Sequence, residues 1–304
     1  MKILFGPYGS VLSTLGISSD PLAIKRHGQH LYQTAVELIG RGYVDAGATM
    51  PTVNAFFLRS LLKKGFIELY KEMLSLNLKA LLAALGEKNL ERIALCLGPA
   101  SDCYQPELAP DATEAYFFAK QQYELCMEVV NSFGLSSCDV VILHETIGTD
   151  QEALGISKAA QSLNLPLIIS FIVDRKGRLL NGKTVESAIS CIDRETLGFV
   201  EGFSLNCCSP YAFDHMIESF ENKNLIKRFI GFYPNSWDAN PSSYETETEL
   251  LEPKKTDSLK KIFEVGCKYE LKFIGGCCGF GYHDIKCLSS WERMYRLRTA
   301  RDEI

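Results

Sequence analysis

Eight short apolar runs, each followed by apolar residues at helical spacing, predict that this chain of 304 residues is an α/β protein with a (β/α)8 barrel, also called a TIM barrel. Continuous apolar strands separated by helices are typical of parallel strands that are buried on both faces. An open doubly wound sheet is the rival architecture. The segment FGPYGSVLSTLG after the first strand lacks the G-x-G-x-x-G spacing that such a sheet often carries there. The sequence therefore favours one barrel domain over 1–304.

The elements follow one another along the chain. The first helical pattern, 20–42, opens at Asp20-Pro21, an N-cap residue followed by a first-turn proline, and is expected to close at Gly40 or Gly42. The predicted strands are 2–5, 46–51, 92–98, 140–146, 166–173, 197–207, 227–235 and 271–278. The later predicted helices are two within 56–86 and then 113–132, 150–163, 184–191, 211–221, 256–268 and 283–299. A long polar stretch predicts a loop insertion near 235–258.

The charge balance and the hydropathy pattern exclude several classes of partner. Lys plus Arg is 32 and Asp plus Glu is 37, so the formal net charge is −5, and no long basic run is present. This balance argues against nucleic acid as the main partner. No apolar stretch reaches the roughly 18 residues needed to span a bilayer. The start MKILFGPYGS has too few apolar residues before Gly and Pro for a signal peptide. We therefore expect a cytoplasmic protein with no membrane partner.

Residues capable of chemistry are found where the predicted strands end. In a barrel of this kind the active site lies at the carboxyl ends of the strands and in the loops that follow them. Glu145 and Thr146 end the fourth strand, and the later strands end at Asn206 to Cys208, Tyr233 to Asn235 and Gly275 to Cys278. His144 alternates with Glu145, so we expect its side chain to pack between the strand and a helix.

The eleven cysteines are an odd number in a large chain, which argues against a disulfide framework and favours metal binding or thiol chemistry. Two pairs, Cys207-Cys208 and Cys277-Cys278, lie at the ends of predicted strands 6 and 8. Three thiolates from these ends would suit a zinc ion and leave its fourth position open. The alternatives are plain core cysteines or a strained vicinal disulfide. One residue of register decides whether Cys207 or Cys208 turns inward.

Several motifs, taken in order, resemble those of the homocysteine S-methyltransferase family. LNC (205–207) and GGCCG (275–279) are similar to the zinc motifs at the ends of strands 6 and 8 of that family. The other similar segments are YVDAGA (43–48) with Asn54 and Phe56, LGPAS (97–101), HETIGTDQEA (144–153) and YPNS (233–236). The resemblance extends over nearly the whole chain, and GGCCG is its most specific element.

The resemblance implies a role for individual residues. Cys207, Cys277 and Cys278 would be the ligands of a Zn²⁺ ion, with Cys208 as their neighbour. Glu145 would act in catalysis by binding the ammonium group of an amino-acid substrate, and Asn206 would support the catalytic site. The further substrate-binding residues implied in this way are Thr146, Asn54, Tyr233 and Asn235.

The implied activity is zinc-dependent methyl transfer from a small donor to the thiol of homocysteine or a similar small thiol, which gives methionine or a thioether. Zinc deprotonates a coordinated thiol, and the bound sulfur can then attack an activated methyl group. A chain of 304 residues leaves no room for a folate or cobalamin domain. The expected donor is therefore a small sulfonium or ammonium compound, and a methyl-cobalamin protein acting in trans stays open.

Several positions depart from the family pattern, among them Ser10, which replaces a threonine, and the segment 280–285 after GGCCG. Phe5 replaces an acidic residue, and Val53 and Ala55 replace threonines. Losing a carboxylate beside a substrate ammonium costs on the order of 1.5–3 kcal/mol. One alternative is therefore a divergent or non-catalytic barrel that binds zinc or a thiol. Another is a barrel hydrolase, although zinc that activates water more often has histidine ligands. The oligomeric state, including a homo-oligomer, stays open.

Overall fold

The computed structural model describes residues 1–88, 92–241 and 255–302 and confirms the barrel. Within these residues eight parallel strands form one sheet in the order β1-β8-β7-β6-β5-β4-β3-β2. The strands are β1 Lys2–Ile3, β2 Thr52–Asn54, β3 Ile93–Leu97, β4 Val140–Ile147, β5 Leu167–Phe171, β6 Gly202–Asn206, β7 Phe229–Tyr233 and β8 Phe273–Ile274. Their carboxyl ends meet at one end of the barrel, where active sites of this fold are built.

Backbone contacts between the first two strands close the sheet into a barrel. Leu4, just after β1, forms a parallel bridge with Met50, just before β2. The Phe5 N–H donates to the Met50 carbonyl at 3.0 Å, and the Met50 N–H donates to the Ile3 carbonyl at 2.9 Å. Since β1 also pairs with β8, both sides of β1 are hydrogen-bonded. Closure removes the exposed strand edges that an open sheet would keep.

Helices cover the outside of the barrel. They are α1 Tyr8–Thr14, α2 Pro21–His27, α3 Gln29–Asp45, α4 Arg59–Lys63, α5 Ile67–Leu85, α6 Ala112–Ser132, α7 Asp150–Ser162, α8 Val185–Thr196, α9 Ala212–Glu218, α10 Lys255–Lys268 and α11 Tyr282–Asp302. Asp20 caps α2 as predicted, and its carboxylate accepts the Leu22 N–H at 3.1 Å. Among the described helices, none is both long enough and apolar enough to cross a membrane.

The start of the chain corrects the predicted element boundaries. The predicted first helix divides into α2 and α3, and α3 runs through Gly40 and Gly42 instead of ending there. These two glycines make room for close packing: a Cβ at Gly40 would lie 2.9 Å from the Ala84 Cβ, and one at Gly42 would lie 2.5 Å from the Tyr282 ring. Because α3 extends to Asp45, the second strand begins later than predicted and lies at 52–54 instead of 46–51.

The predicted loop insertion near 235–258 is only partly described. Its central residues, 242–254, lie outside the described parts of the chain. The last residues of the predicted loop, 255–258, belong to α10. The predicted eighth strand, 271–278, is also shorter than expected, because only 273–274 pair as β8 and 275–278 form a loop.

Alternating strand residues divide the apolar core into two layers. The first set packs together inside the barrel and comprises Leu4, Met50, Ala94, Cys96, Val141, Leu143, Ile168, Ile230, Tyr233 and Phe273. The intervening strand residues, such as Leu95, Ile142 and Ile169, pack outward in the larger layer that includes the helices. This period of two fixes which side chain of each strand end points into the barrel.

Gly155 of α7 packs closely against α6. A Cβ at this position would lie 2.6 Å from the Ala115 Cβ and would collide with the Ala112 carbonyl. We expect Gly155→Ala to lower the free energy of unfolding by about 3 kcal/mol, because overpacking of this kind displaces backbone. Urea unfolding would measure the change. Gln151→Ala on the exposed part of α7 is the control. An increase of about 1 kcal/mol, which helix propensity alone would give, would contradict the expectation.

Candidate active site

A cavity of about 600 Å³ lies at the carboxyl ends of the strands. The side chains and backbone that line it come from the ends of most of the strands and from the loops that follow. They include Phe5, Ser10, Asn54, Phe56, Arg59, Cys96, Asp102, Cys103, Tyr104, Glu145, Thr146, Asn206, Cys207, Tyr233, Trp237, Cys277 and Cys278. The cavity is therefore a pocket with apolar and aromatic walls and a few convergent polar groups, which is typical of a small-molecule site.

Three cysteine sulfurs meet at the wall of this cavity. The Sγ atoms of Cys207, Cys277 and Cys278 all lie within 4.8 Å of one another, and those of Cys207 and Cys277 are 2.8 Å apart. Cys207 follows β6 directly and has a φ of 51°, in the left-handed region, and its side chain contacts Cys277 of the loop after β8. Cys208 is fully buried in the outer core instead. Of the two neighbours, Cys207 is thus the one that faces the other two sulfurs.

The three thiols shift one another's pKa values. Hydrogen bonding with Cys277 and Cys278, together with burial, raises the pKa of Cys207. Hydrogen bonds from Cys207 and Cys277 lower the pKa of the Cys278 thiol. The cluster therefore stabilises one negative charge on Cys278, and the proximity of that charge opposes ionisation of the other two.

Asn235 connects the loops that carry these cysteines. Its side-chain Oδ1 accepts the Cys278 N–H at 3.1 Å, and its own N–H donates to the Cys208 carbonyl at 2.9 Å. The Cys277 N–H donates to the Pro234 carbonyl at 2.8 Å. Asn235 is fully buried and lies beside the cavity, outside its lining. It was predicted to contact substrate, but in this position it holds the backbone of the thiol cluster.

Glu145 points into the cavity from β4. The strand has an irregular register between His144 and Ile147, and Thr146 has a φ of 63°. Burial raises the pKa of Glu145 to about 7, and the neighbouring Tyr233 hydroxyl and Cys96 thiol partly oppose this effect. Tyr233 and Asn54, two of the predicted substrate-binding residues, line the same cavity. The polar groups predicted from the strand ends therefore converge around one space.

The side chains of Asn206 in β6 and Thr146 in β4 hydrogen-bond to each other past the intervening strand β5. The Thr146 N–H donates to Asn206 Oδ1 at 2.9 Å, and Asn206 Nδ2 donates to Thr146 Oγ1 at 2.8 Å. Both side chains are buried. This reciprocal pair fixes the irregular end of β4 next to Glu145. Asn206, which was predicted to support the site, is placed to orient the strand end that carries the carboxylate.

Asn206→Ala is expected to lower the free energy of unfolding by about 2–3 kcal/mol. The change removes two hydrogen bonds and leaves the buried Thr146 N–H without an acceptor. Denaturant unfolding would measure the loss. Asn222→Ala is the control, because Asn222 is exposed and caps only a short 3-10 helix through the Asn224 N–H. Equal small losses in the two variants would contradict the proposed orienting role.

His144 occupies the opposite face of β4, as predicted. Its ring nitrogens lie 2.8 Å from the Tyr123 hydroxyl of α6 and 3.0 Å from the Gly98 carbonyl. Burial lowers the pKa of His144 to about 4, so the ring is neutral at physiological pH. The histidine therefore packs between strand and helix.

The sequence did not identify the part of the wall formed by α4 and by the loop after β3. Arg59, Asp102, Cys103 and Tyr104 line the cavity there. Cys96 belongs to the inner core and also reaches the cavity beside Glu145. The sequence did contain one indication of this part of the wall. The segment LGPASDCY follows a predicted strand, and loops in that position face the mouth of a barrel.

Comparison with solved structures supports the fold. The metallated form of the homocysteine methyltransferase MmuM from Escherichia coli has a TM-score of 0.71 and 16% sequence identity, over 95% of this chain and 96% of that chain. The oxidized form has a TM-score of 0.70 at 15% identity, and the apo form 0.64 at 17%, each over 95% of both chains. Among curated protein sequences, none matches this chain at a significant level.

The sequence pattern of one protein family extends over the barrel and the site together. The pattern described as homocysteine S-methyltransferase matches residues 3–291, which extend from the end of β1 into the first half of α11 and include every cysteine of the thiol cluster. The chain therefore belongs to the homocysteine S-methyltransferase family, which makes it an S-methyltransferase.

Proposed function

We propose that this protein transfers a methyl group from a small donor to the thiol of homocysteine in a zinc-dependent reaction that gives methionine. The observation that carries the proposal is the convergence of Cys207, Cys277 and Cys278 on one cavity wall, with their sulfurs within 4.8 Å of one another. A site made of three reduced thiols suits a reducing compartment, so we infer that the reaction takes place in the cytoplasm.

The three cysteines fit a zinc ion in distance and in charge. Zn–S bonds of about 2.3 Å in a tetrahedron require sulfurs about 3.8 Å apart. The cluster, with its sulfurs within 4.8 Å, needs only small adjustments to reach that spacing. Hydrogen bonds within the cluster stabilise the thiolate of Cys278, and that negative charge opposes ionisation of the other thiols. The positive charge of a divalent cation would offset this repulsion. Bound there, zinc would hold the acceptor sulfur as a nucleophilic thiolate in its fourth coordination position.

Glu145 is the proposed partner of the homocysteine ammonium group. Its carboxylate lines the same cavity as the three cysteines and contacts Cys96 and Tyr233. An ammonium group beside it would favour the ionised carboxylate and counteract the burial that raises its pKa. Thr146, Asn54 and Tyr233 supply further polar groups of the substrate pocket.

Of the departures at positions 5, 53 and 55, only Phe5 changes the cavity wall. Phe5 lines the cavity, whereas Val53 and Ala55 are fully buried in the outer core between strands and helices. The missing threonine hydroxyls at positions 53 and 55 therefore leave the cavity lining unchanged. The polar floor is reduced at a single position, which is compatible with an active transferase.

The absorption spectrum of the cobalt(II)-substituted protein, titrated with homocysteine, tests the proposal. We expect intense thiolate-to-cobalt bands typical of a tetrahedral site, and a shift of those bands when homocysteine binds through sulfur. Methionine is the matched control, because it has the same backbone without a free thiol. The absence of thiolate bands in reduced protein would overturn the metal site. Thiolate bands that do not shift when homocysteine is added would overturn homocysteine as the acceptor.

A further inference from the structure

Arg59 introduces a positive charge into a cavity that is otherwise acidic, aromatic or neutral. Of the described side chains that line this cavity, Arg59 alone is permanently cationic. It is the first residue of α4 and has no part in the activity proposed above. A guanidinium in a mostly apolar cavity is an anion-binding group when its donors face open space.

The guanidinium is held firmly at the ends of β2 and β3. Its Nη1 donates to the Phe56 carbonyl at 2.9 Å, and its carbon lies 4.5 Å from the centroid of the Phe56 ring. A Cβ on Gly98 would lie 2.9 Å from the same Nη1, so the glycine after β3 leaves the space that Arg59 occupies. These contacts fix the direction of the charge before any ligand arrives.

Most of the donors of Arg59 remain available to a ligand. A guanidinium carries five N–H groups, and the described contacts of Arg59 use Nη1 for one hydrogen bond. Arg59 forms no ion pair with a carboxylate in the described residues. The nearby carboxylates serve other groups: Asp102 accepts the Tyr104 N–H at 2.9 Å, and Glu152 accepts the Ala100 N–H at 2.7 Å.

Arg59 is part of the wall of two neighbouring cavities. Together with Phe57 and Asp102, it lines a second, more open cavity of about 490 Å³ that contains Lys63 and Ser101. Glu145 and the thiol cluster belong only to the inner cavity. An acceptor bound by its sulfur and its ammonium group would therefore occupy the inner part, and the second reactant would lie nearer Arg59.

We propose that Arg59 binds the carboxylate of the methyl donor, which places the donor's methylated cationic centre between the aromatic walls and the acceptor sulfur. This inference rests on the proposed methyl transfer and extends it to the class of donor: a sulfonium or ammonium compound that also carries a carboxylate. Phe56, Phe57 and Tyr104 line the same cavity as Arg59, and aromatic rings attract a methylated cation. The guanidinium acts by binding and orientation and takes no part in bond making.

Calorimetric titration of the zinc-loaded protein with matched donor pairs tests the inference. The carboxylate-bearing donors are S-methylmethionine and glycine betaine, and their carboxylate-free counterparts are (3-aminopropyl)dimethylsulfonium and tetramethylammonium. Arg59→Gln is expected to weaken binding of the carboxylate-bearing donor that wild-type protein prefers by about 10-fold to 100-fold. Binding of the carboxylate-free counterpart should change less than about 2-fold, which also shows that the variant is folded. Arg59→Lys should recover part of the lost affinity.

Lys64→Gln is the matched control, because it removes an exposed cation just after the same helix and away from both cavities. Equal weakening of both members of a donor pair, or no binding of either carboxylate-bearing donor to wild-type protein, would overturn the inference. If Arg59→Gln weakened homocysteine binding and left donor binding unchanged, the inference would be overturned as well, because Arg59 would then bind the carboxylate of the acceptor. Donor binding is measured without turnover, so a failure of methyl transfer itself would be recognised separately.

Discussion

Cys277→Ala is expected to abolish stoichiometric zinc binding and to reduce methyl transfer to homocysteine by on the order of a thousandfold, which corresponds to about 4 kcal/mol of lost transition-state stabilisation. The Cys277 sulfur lies 2.8 Å from the Cys207 sulfur, and both belong to the described three-sulfur cluster with Cys278. Two remaining cysteines would leave too few ligands for a stable zinc site of this kind. Metal content after dialysis and methionine formation measure the two losses.

Cys208→Ala is the matched control for that experiment. Cys208 is the chain neighbour of Cys207, yet its side chain is fully buried in the outer core and has no place in the sulfur cluster. Its replacement should therefore leave the zinc content at one ion per chain and the transfer rate within about 3-fold of wild type. Full activity of Cys277→Ala, or loss of zinc in Cys208→Ala, would contradict the assignment of ligands.

Glu145→Gln is expected to lower kcat/KM for homocysteine by about 10-fold to 150-fold. The amide has nearly the shape of the carboxylate but cannot form a charge-assisted bond with the substrate ammonium, a difference of about 1.5–3 kcal/mol. Homocysteine and 4-sulfanylbutanoate, which is the same thiol acid without its amino group, should be compared as acceptors. We expect wild-type protein to prefer homocysteine strongly and the variant to lose most of that preference.

Asp150→Asn provides the control for the carboxylate. Asp150 lies five residues further along the chain at the start of α7, outside the cavity lining, where it accepts a hydrogen bond from Asn181. This variant should keep the wild-type preference between the two acceptors. If Glu145→Gln kept that preference too, the carboxylate would not be the ammonium partner.

Much of the barrel could be predicted because the evidence for it is periodic. Runs such as IALCL and LIISF are apolar on both faces, which parallel strands between helices require, and β3 and β5 occur where these runs do. The boundaries failed where glycine was interpreted as a stop signal. Gly40 and Gly42 lie within α3, since their missing side chains admit Ala84 and Tyr282. Such contacts join residues far apart in sequence, so local pattern does not contain them.

The site was predictable to the level of strand ends and no further. Cys207, Cys277 and Glu145 could be placed at the mouth because strand ends converge there. The choice of Cys207 over Cys208 depended on a left-handed backbone angle at Cys207, which sequence did not indicate for a non-glycine residue. Arg59 could not be identified as part of the wall because its position depends on the packing of α4 against the loop after β3.

The hydrogen bonds of Asn235 have a thermodynamic consequence for metal capture. They tie the backbone after β6, β7 and β8 together, so the conformational entropy of those loops is lost when the barrel folds and not when an ion arrives. The free energy of metal binding is then not reduced by an entropic cost of ordering these loops. Conversely, the closed sheet and its two apolar layers supply the stability of the fold without help from a metal. Uptake and loss of the ion should therefore switch chemical activity in a barrel that stays folded throughout.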